Sequence, residues 1–133
     1  MTYNLSLRSR QRLSGVHPDL VDVVKRAIEI TDIDFFVGEG IRSIERQKRL
    51  VASGASRTMN SRHITGHAVD LHPHPYKGDH DLDGVPNSDD FDAYKPIVDA
   101  VRQAGEELGV ELVHGYDWGW DAPHVELNRK NYK

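Results

Sequence analysis

The run Ser61-Arg62-His63-Ile64-Thr65-Gly66-His67-Ala68-Val69-Asp70 sets an imidazole and a carboxylate seven residues apart. The intervening Gly66 permits a sharp turn, so a loop and the strand after it could present His63 and Asp70 to one metal ion. A catalytic zinc site takes three protein ligands and keeps a fourth position for water. A third donor lies in Asp121-Ala122-Pro123-His124-Val125-Glu126-Leu127, where His124 could bind and Asp121, three residues earlier, could move a proton without touching the metal. Each residue has a plainer reading. His63 beside a turn suits an ordinary hydrogen bond, His124 suits an alternating strand, and a one-residue change of register would put Asp70 in water. Buried and unpaired, however, the Asp70 carboxylate would be costly.

A second cluster is all oxygen. From Asp79 to Asp90, carboxylates stand at positions one, three, five and twelve (Asp79, Asp81, Asp83, Asp90), with Gly84 at six, the Val85 carbonyl at seven and Asn87 at nine. This is the spacing of a calcium loop. Aspartate replaces the usual glutamate at position twelve, and His-Pro pairs stand where a helix would precede it. The plainer reading is a solvated acidic loop. His72, His74 and His80 flank it and are expected to be exposed, while His17, His67 and His114 receive no role.

The elements that must position these groups follow from periodicity. Pro18, Leu20, Val23, Val24, Ala27 and Ile28 predict a helix over 18–31, and Phe35 to Val37 a short buried strand. Ser43 caps a helix that Ile44, Gln47, Leu50 and Val51 continue to Gly54. His67 to Leu71 alternate as a strand, and the chain from 76 to 90 is loop. Ile97, Val98, Val101, Ala104 and Leu108 mark a long helix that Gly109 closes, with its regular part starting near 95 because Pro96 is tolerated only in a first turn. Glu111 to Val113 and His124 to Leu127 complete the strands. The expectation is a single α+β domain over 1–133.

Composition narrows the chemistry. The 133 residues include no cysteine, which excludes a disulfide scaffold, an iron–sulfur centre and a thiol nucleophile and leaves any metal to nitrogen and oxygen. Lys and Arg number 17 against 21 Asp and Glu, a net charge of −4 that argues against nucleic-acid binding. No apolar run is long enough for membrane insertion. The amino terminus lacks the apolar core of a secretory signal, so the expected location is the cytosol until another agent releases the protein. Six aspartates and no Lys or Arg fall between 79 and 92, so the acidity is local and the rest of the chain carries +2.

Ser61 to Asp70 resembles the S-x-H-x-x-G-x-A-x-D signature of the VanY-like zinc D-alanyl-D-alanine carboxypeptidase family, and Asp121 to His124 resembles its second motif. Gly40-Ile41-Arg42, Asp117-Trp118 and His124 to Leu127 bring the likeness nearest to single-domain phage endolysins that are L-alanyl-D-glutamate peptidases. It extends from about Val16 to Leu127. The resemblance implies a small antiparallel sheet with flanking helices, the hedgehog and DD-peptidase type of α+β fold. It implies zinc on His63, Asp70 and His124, Asp121 as general base where many relatives carry glutamate, Arg42 steadying the scissile carbonyl, and Ser61 holding substrate. As a surface ion-pair partner Arg42 would contribute only about 0 to 1 kcal/mol. The implied partner is peptidoglycan, cut by a monomer at the L-alanyl-D-glutamate bond; the spacing of the acidic loop, and not the resemblance, adds calcium as an expected regulator. A D-alanyl-D-alanine carboxypeptidase or dipeptidase, and a non-catalytic metal-binding module, are the alternatives on the same fold.

Overall fold

Leu20, Val23, Val24, Ala27 and Ile28 recur at helical spacing, and in the computed structural model they form the buried stripe of a helix, α2 (Pro18–Ile30). His17 gains a role here: its side chain caps α2 by accepting from the Asp19 amide at 3.1 Å. The structure describes residues 2–56, 58–74 and 92–132. Within them the chain runs α1 (Leu7–Arg12), α2, β1 (Phe35–Glu39), α3 (Ile44–Ala52), β2 (Ala68–Pro73), α4 (Lys95–Leu108), β3 (Leu112–His114), a short 3-10 turn (Gly115–Trp118) and β4 (His124–Leu127). Gly109 ends α4 at φ 69°, as expected of a glycine in that position. None of these helices is long and apolar enough to cross a membrane.

The four strands form one antiparallel sheet in the order β1-β2-β4-β3. Strand period two sends Phe35, Val37, Val69, Leu71, Val125 and Leu127 to the face covered by α2 and α4, where all are buried. Leu20, Leu71 and Leu127 are almost fully enclosed, and burial of each such side chain favours folding by roughly 1.5–3 kcal/mol. The opposite face carries Asp70, His124 and Glu126. One face of the sheet therefore holds the molecule together, and the other is left for chemistry.

Two features depart from the expected elements. Strand β2 continues past Leu71, because His72 and Pro73 pair with Phe36 and Phe35 of β1; proline is tolerated there at the end of the strand. Helix α1 was not foreseeable from an apolar stripe, since its one buried residue is Ser9. It covers the open edge of β1 instead. Ser9 Oγ accepts from the Val37 amide at 2.9 Å and Arg12 donates to the Val37 carbonyl at 2.9 Å, so both backbone groups of Val37 are satisfied at the strand's edge.

Candidate metal centre

Three strands bring the site together on one rung. Asp70 of β2 lies directly opposite His124 of β4, and Glu39 of β1 lies opposite Asp70. Glu39 reaches this position through a register shift between Val37 and Glu39. Without that extra residue, period two would place Glu39 on the core face with Val37. His63 arrives from the loop before β2, which Gly66 turns at φ 76°. Gly40 faces His63 from the other side: a Cβ there would stand 1.9 Å from the Arg12 carbonyl oxygen, so the backbone can pass α1 only as glycine, and the Gly40 carbonyl accepts from His63 Nδ1 at 2.9 Å.

These bonds settle which nitrogens face inward. A carbonyl can only accept, so His63 Nδ1 carries hydrogen and Nε2 points to Asp70 Oδ1 at 3.2 Å. His124 Nε2 donates to Glu126 Oε1 at 2.9 Å, which turns Nδ1 toward the same Asp70 oxygen at 3.6 Å. One donor atom from each of His63, Asp70 and His124 lies within 4.8 Å of the others, a group that could hold a metal ion. Tetrahedral zinc with bonds near 2.0–2.2 Å separates its ligand atoms by about 3.4 Å, so the two shorter contacts already match. Two imidazoles and a carboxylate are also the donor types such an ion takes. The residues fit the metal that their sequence pattern implies.

Without the ion, the charges lean on one another. Burial would push the Asp70 carboxyl up, but hydrogen bonds from His124 and His63 hold it far below the usual carboxylate range. Burial opposes a charged His124, yet its bonds to Asp70 and Glu126 outweigh this and raise it to about 9. A metal entering the site must displace that proton. Asp121 shifts the other way, raised chiefly by burial with the Asp70 charge adding to it. Its Oδ2 lies 4.0 Å from His124 Nδ1, on the side away from Glu126.

The remaining expected residues line the same cleft of about 380 Å³, which contains Arg42, Ser61, Asp121 and all three candidate ligands. Arg42 forms a bidentate pair with Glu39 at 2.8 and 2.7 Å. Burial would lower its pKa, and this pairing more than reverses the effect. Its Nη2 stands 3.9 Å from Asp70 Oδ2, which places the cation at the edge of the metal group and not on the outer surface. Ser61 Oγ caps the His63 amide at 3.2 Å and lies 3.5 Å from Arg42 Nη1. At the opposite rim, Trp118 stacks over His124 with ring centres 5.3 Å apart and packs beside Trp120. The calcium-loop residues Asp79, Asp81, Asp83, Val85, Asn87 and Asp90 lie outside the described residues, as does His80.

Three residues in or behind the site carried no functional expectation. Glu39 depends on the register shift, which no local pattern announces. Gln47 belongs to the helical stripe that predicts its burial, but the stripe does not reveal its polar partners. Glu126 had a readable signal, because a strand places residues 124 and 126 on one face. The carboxylate of Glu126, a residue 5% exposed, stands between Arg62 at 3.8 Å and Arg129 at 3.5 Å while it orients His124. His72 also acquires a partner, the Tyr94 hydroxyl at 2.7 Å. His114 is buried, with a pKa lowered to about 4 by burial and by Arg102.

Comparison with known proteins follows the same lines. The family described as phage L-alanyl-D-glutamate peptidase matches residues 1–133. The L-alanyl-D-glutamate peptidase of Escherichia phage T5 is 32% identical over 136 residues, covering 99% of this chain and 94% of that protein. The L-alanyl-D-glutamate peptidase of Listeria phage A118 is 33% identical over 107 residues, 78% of this chain and 34% of that longer protein. Among solved structures, the Serratia marcescens L-Ala D-Glu endopeptidase ChiX superimposes with a TM-score of 0.80 at 40% identity, over 95% of this chain and 90% of that one.

Proposed function

Because the chain belongs to the phage L-alanyl-D-glutamate peptidase family, we propose that it is a zinc peptidase that hydrolyses the L-alanyl-D-glutamate bond in peptidoglycan stem peptides. The observation that carries the zinc reading is the inward convergence of His63 Nε2, Asp70 Oδ1 and His124 Nδ1, with each histidine's other nitrogen already bonded to protein. Zinc bound there would supply Lewis acidity to the scissile carbonyl and a more acidic water. Asp121 accepts the proton of the attacking water and passes it to the leaving D-glutamate nitrogen as the carbon–nitrogen bond breaks. Its Oδ2, 4.0 Å from His124 Nδ1 and lining the same cleft, stands close enough to the metal group for that role. Arg42 faces the negative charge that develops on the carbonyl oxygen, and Ser61 lines the same wall as a contact for the peptide. The protein's target is then the cell wall, reached after release from the host cytoplasm.

Asp121→Ala and His124→Ala test this reading together. The first is expected to keep stoichiometric zinc and lose at least about a hundredfold in activity, and the second to lose zinc and activity alike. Mass spectrometry of digested peptidoglycan should show new peptides that begin at D-glutamate. An active Asp121→Ala protein, or cleavage only between D-alanines, would sink the assignment. The spacing of Asp79, Asp81, Asp83, Val85, Asn87 and Asp90 in the sequence supports calcium bound by these residues as a regulator. Calcium titrated into the metal-free protein should then release heat and change the activity measured after zinc loading; a silent titration counts against it.

A further inference from the structure

Helix α3 has one buried residue, and it is a glutamine. Gln47 is 0% exposed, a position where an apolar side chain would pack the helix at no polar cost. A buried primary amide is tolerable only when bonded, and this one is bonded on both sides. Its Oε1 accepts from Arg42 Nη1 at 2.8 Å, and its Nε2 donates to Ser56 Oγ at 2.8 Å and to the Thr58 carbonyl at 2.6 Å. Through Arg42 Nη1 the connection continues to Ser61 Oγ at 3.5 Å, and from there to the His63 amide at 3.2 Å. Gln47 itself does not line the cleft.

The geometry points to Gln47 as a positioning residue: it joins the Arg42 guanidinium to the loop around Ser56 and Thr58 and so fixes where that cation stands beside the reacting carbonyl. This rests on the peptidase reading of the site. Glu39 holds one edge of the guanidinium from the sheet, and Gln47 holds the other from α3. With only the Glu39 edge held, the fork can swing about that pair. The shift needed is small, since misplacement by about 1 Å can cost on the order of a hundredfold in rate.

Gln47→Met keeps the length and removes every hydrogen bond. On a purified stem peptide, the zinc-loaded variant should lose about tenfold or more in kcat with little change in KM, because the interaction acts in the transition state. Zinc stoichiometry should be unchanged. In an Arg42→Ala background the same substitution should cost less than about twofold, since its route of action is gone. Amide exchange at Thr58 to Ser61 should quicken by about tenfold. Full additivity with Arg42→Ala, or an unaltered kcat, overturns the role. If Gln47→Met does not fold, Ser56→Ala removes one bond from the same junction. It should cost about two- to fivefold in kcat, again only where Arg42 is present, and an equal cost without Arg42 overturns the proposal. A wild-type protein that fails to cut the peptide refutes the peptidase reading instead. Gln47 is then judged by exchange alone, and unchanged exchange at Thr58 to Ser61 in Gln47→Met overturns its role.

Discussion

The floor of the cleft and its α3 wall are built from different materials. Under the floor, the rung Glu39–Asp70–His124 lies on strands whose other faces, Val37, Val69, Leu71, Val125 and Leu127, are all buried beneath α2 and α4. The wall, α3 with the chain to Ser61, contributes no buried apolar side chain from its helix: Ile44 is 53% exposed, Leu50 is half-buried, and Gln47 is the residue that reaches inward. Close-packed apolar layers resist displacement, whereas a polar junction can exchange its partners at little cost. Two of the three groups that would hold a metal, Asp70 and His124, stand on the first, and His63 reaches them from the loop before β2. Of those that would meet a peptide, Ser61 belongs to the second, and Arg42 spans the two through Glu39 and Gln47. Rigid support for the ligands and an adaptable recognition wall are thus separated within a cleft of about 380 Å³.

Truncating one apolar side chain on each side should break that comparison most visibly if it is wrong. Leu71, 1% exposed and next to Asp70, should cost about 2–5 kcal/mol of unfolding free energy as Leu71→Ala. Leu50→Ala on α3 should cost less than about 1 kcal/mol, because the site is already open to water. Urea denaturation of the two metal-free variants measures both. Equal losses would mean that α3 is anchored through apolar packing after all, and the contrast between floor and wall would fall.

The same contrast explains what could be read from the chain beforehand. Apolar periodicity located α2, α4, β2 and β4, and a short apolar run located β1, because burial leaves a mark in the sequence. The side on which Asp70 lies stays open until the register is known; with Val69 and Leu71 turned inward, period two sends the residue between them to the other face. His63, Asp70 and His124 could be nominated from residue type and spacing, and Ser43 marked the start of α3, where its side chain accepts from the Arg46 amide. Helix α1 left no such mark, since it docks through Ser9 and Arg12 on a strand edge. Nor did the register shift that brings Glu39 to Asp70, or the bonds of Gln47. Those features depend on polar pairings between segments distant in sequence, for which no periodicity exists.

Glu126 and Gln47 give the sharper form of the comparison, since each acts through a neighbour from a different side. Glu126 accepts the Nε2 hydrogen of His124 and thereby presents Nδ1 to the metal group. A bond of that kind fixes both ring orientation and tautomer, and its loss ordinarily weakens metal binding by about 10- to 100-fold. Glu126→Gln keeps an acceptor but gives up the charge that Arg62 and Arg129 flank. It should weaken zinc binding by about tenfold, near the lower end of that range and equivalent to about 1.4 kcal/mol. Competition with a chelator of known affinity reads this directly. Gln47→Met, measured the same way, should leave zinc affinity within about twofold while lowering kcat, because its contacts end at Arg42 and the loop. If both variants lose zinc to the same extent, the cleft is one coupled network, and the division between a floor that holds the ion and a wall that places the substrate does not exist.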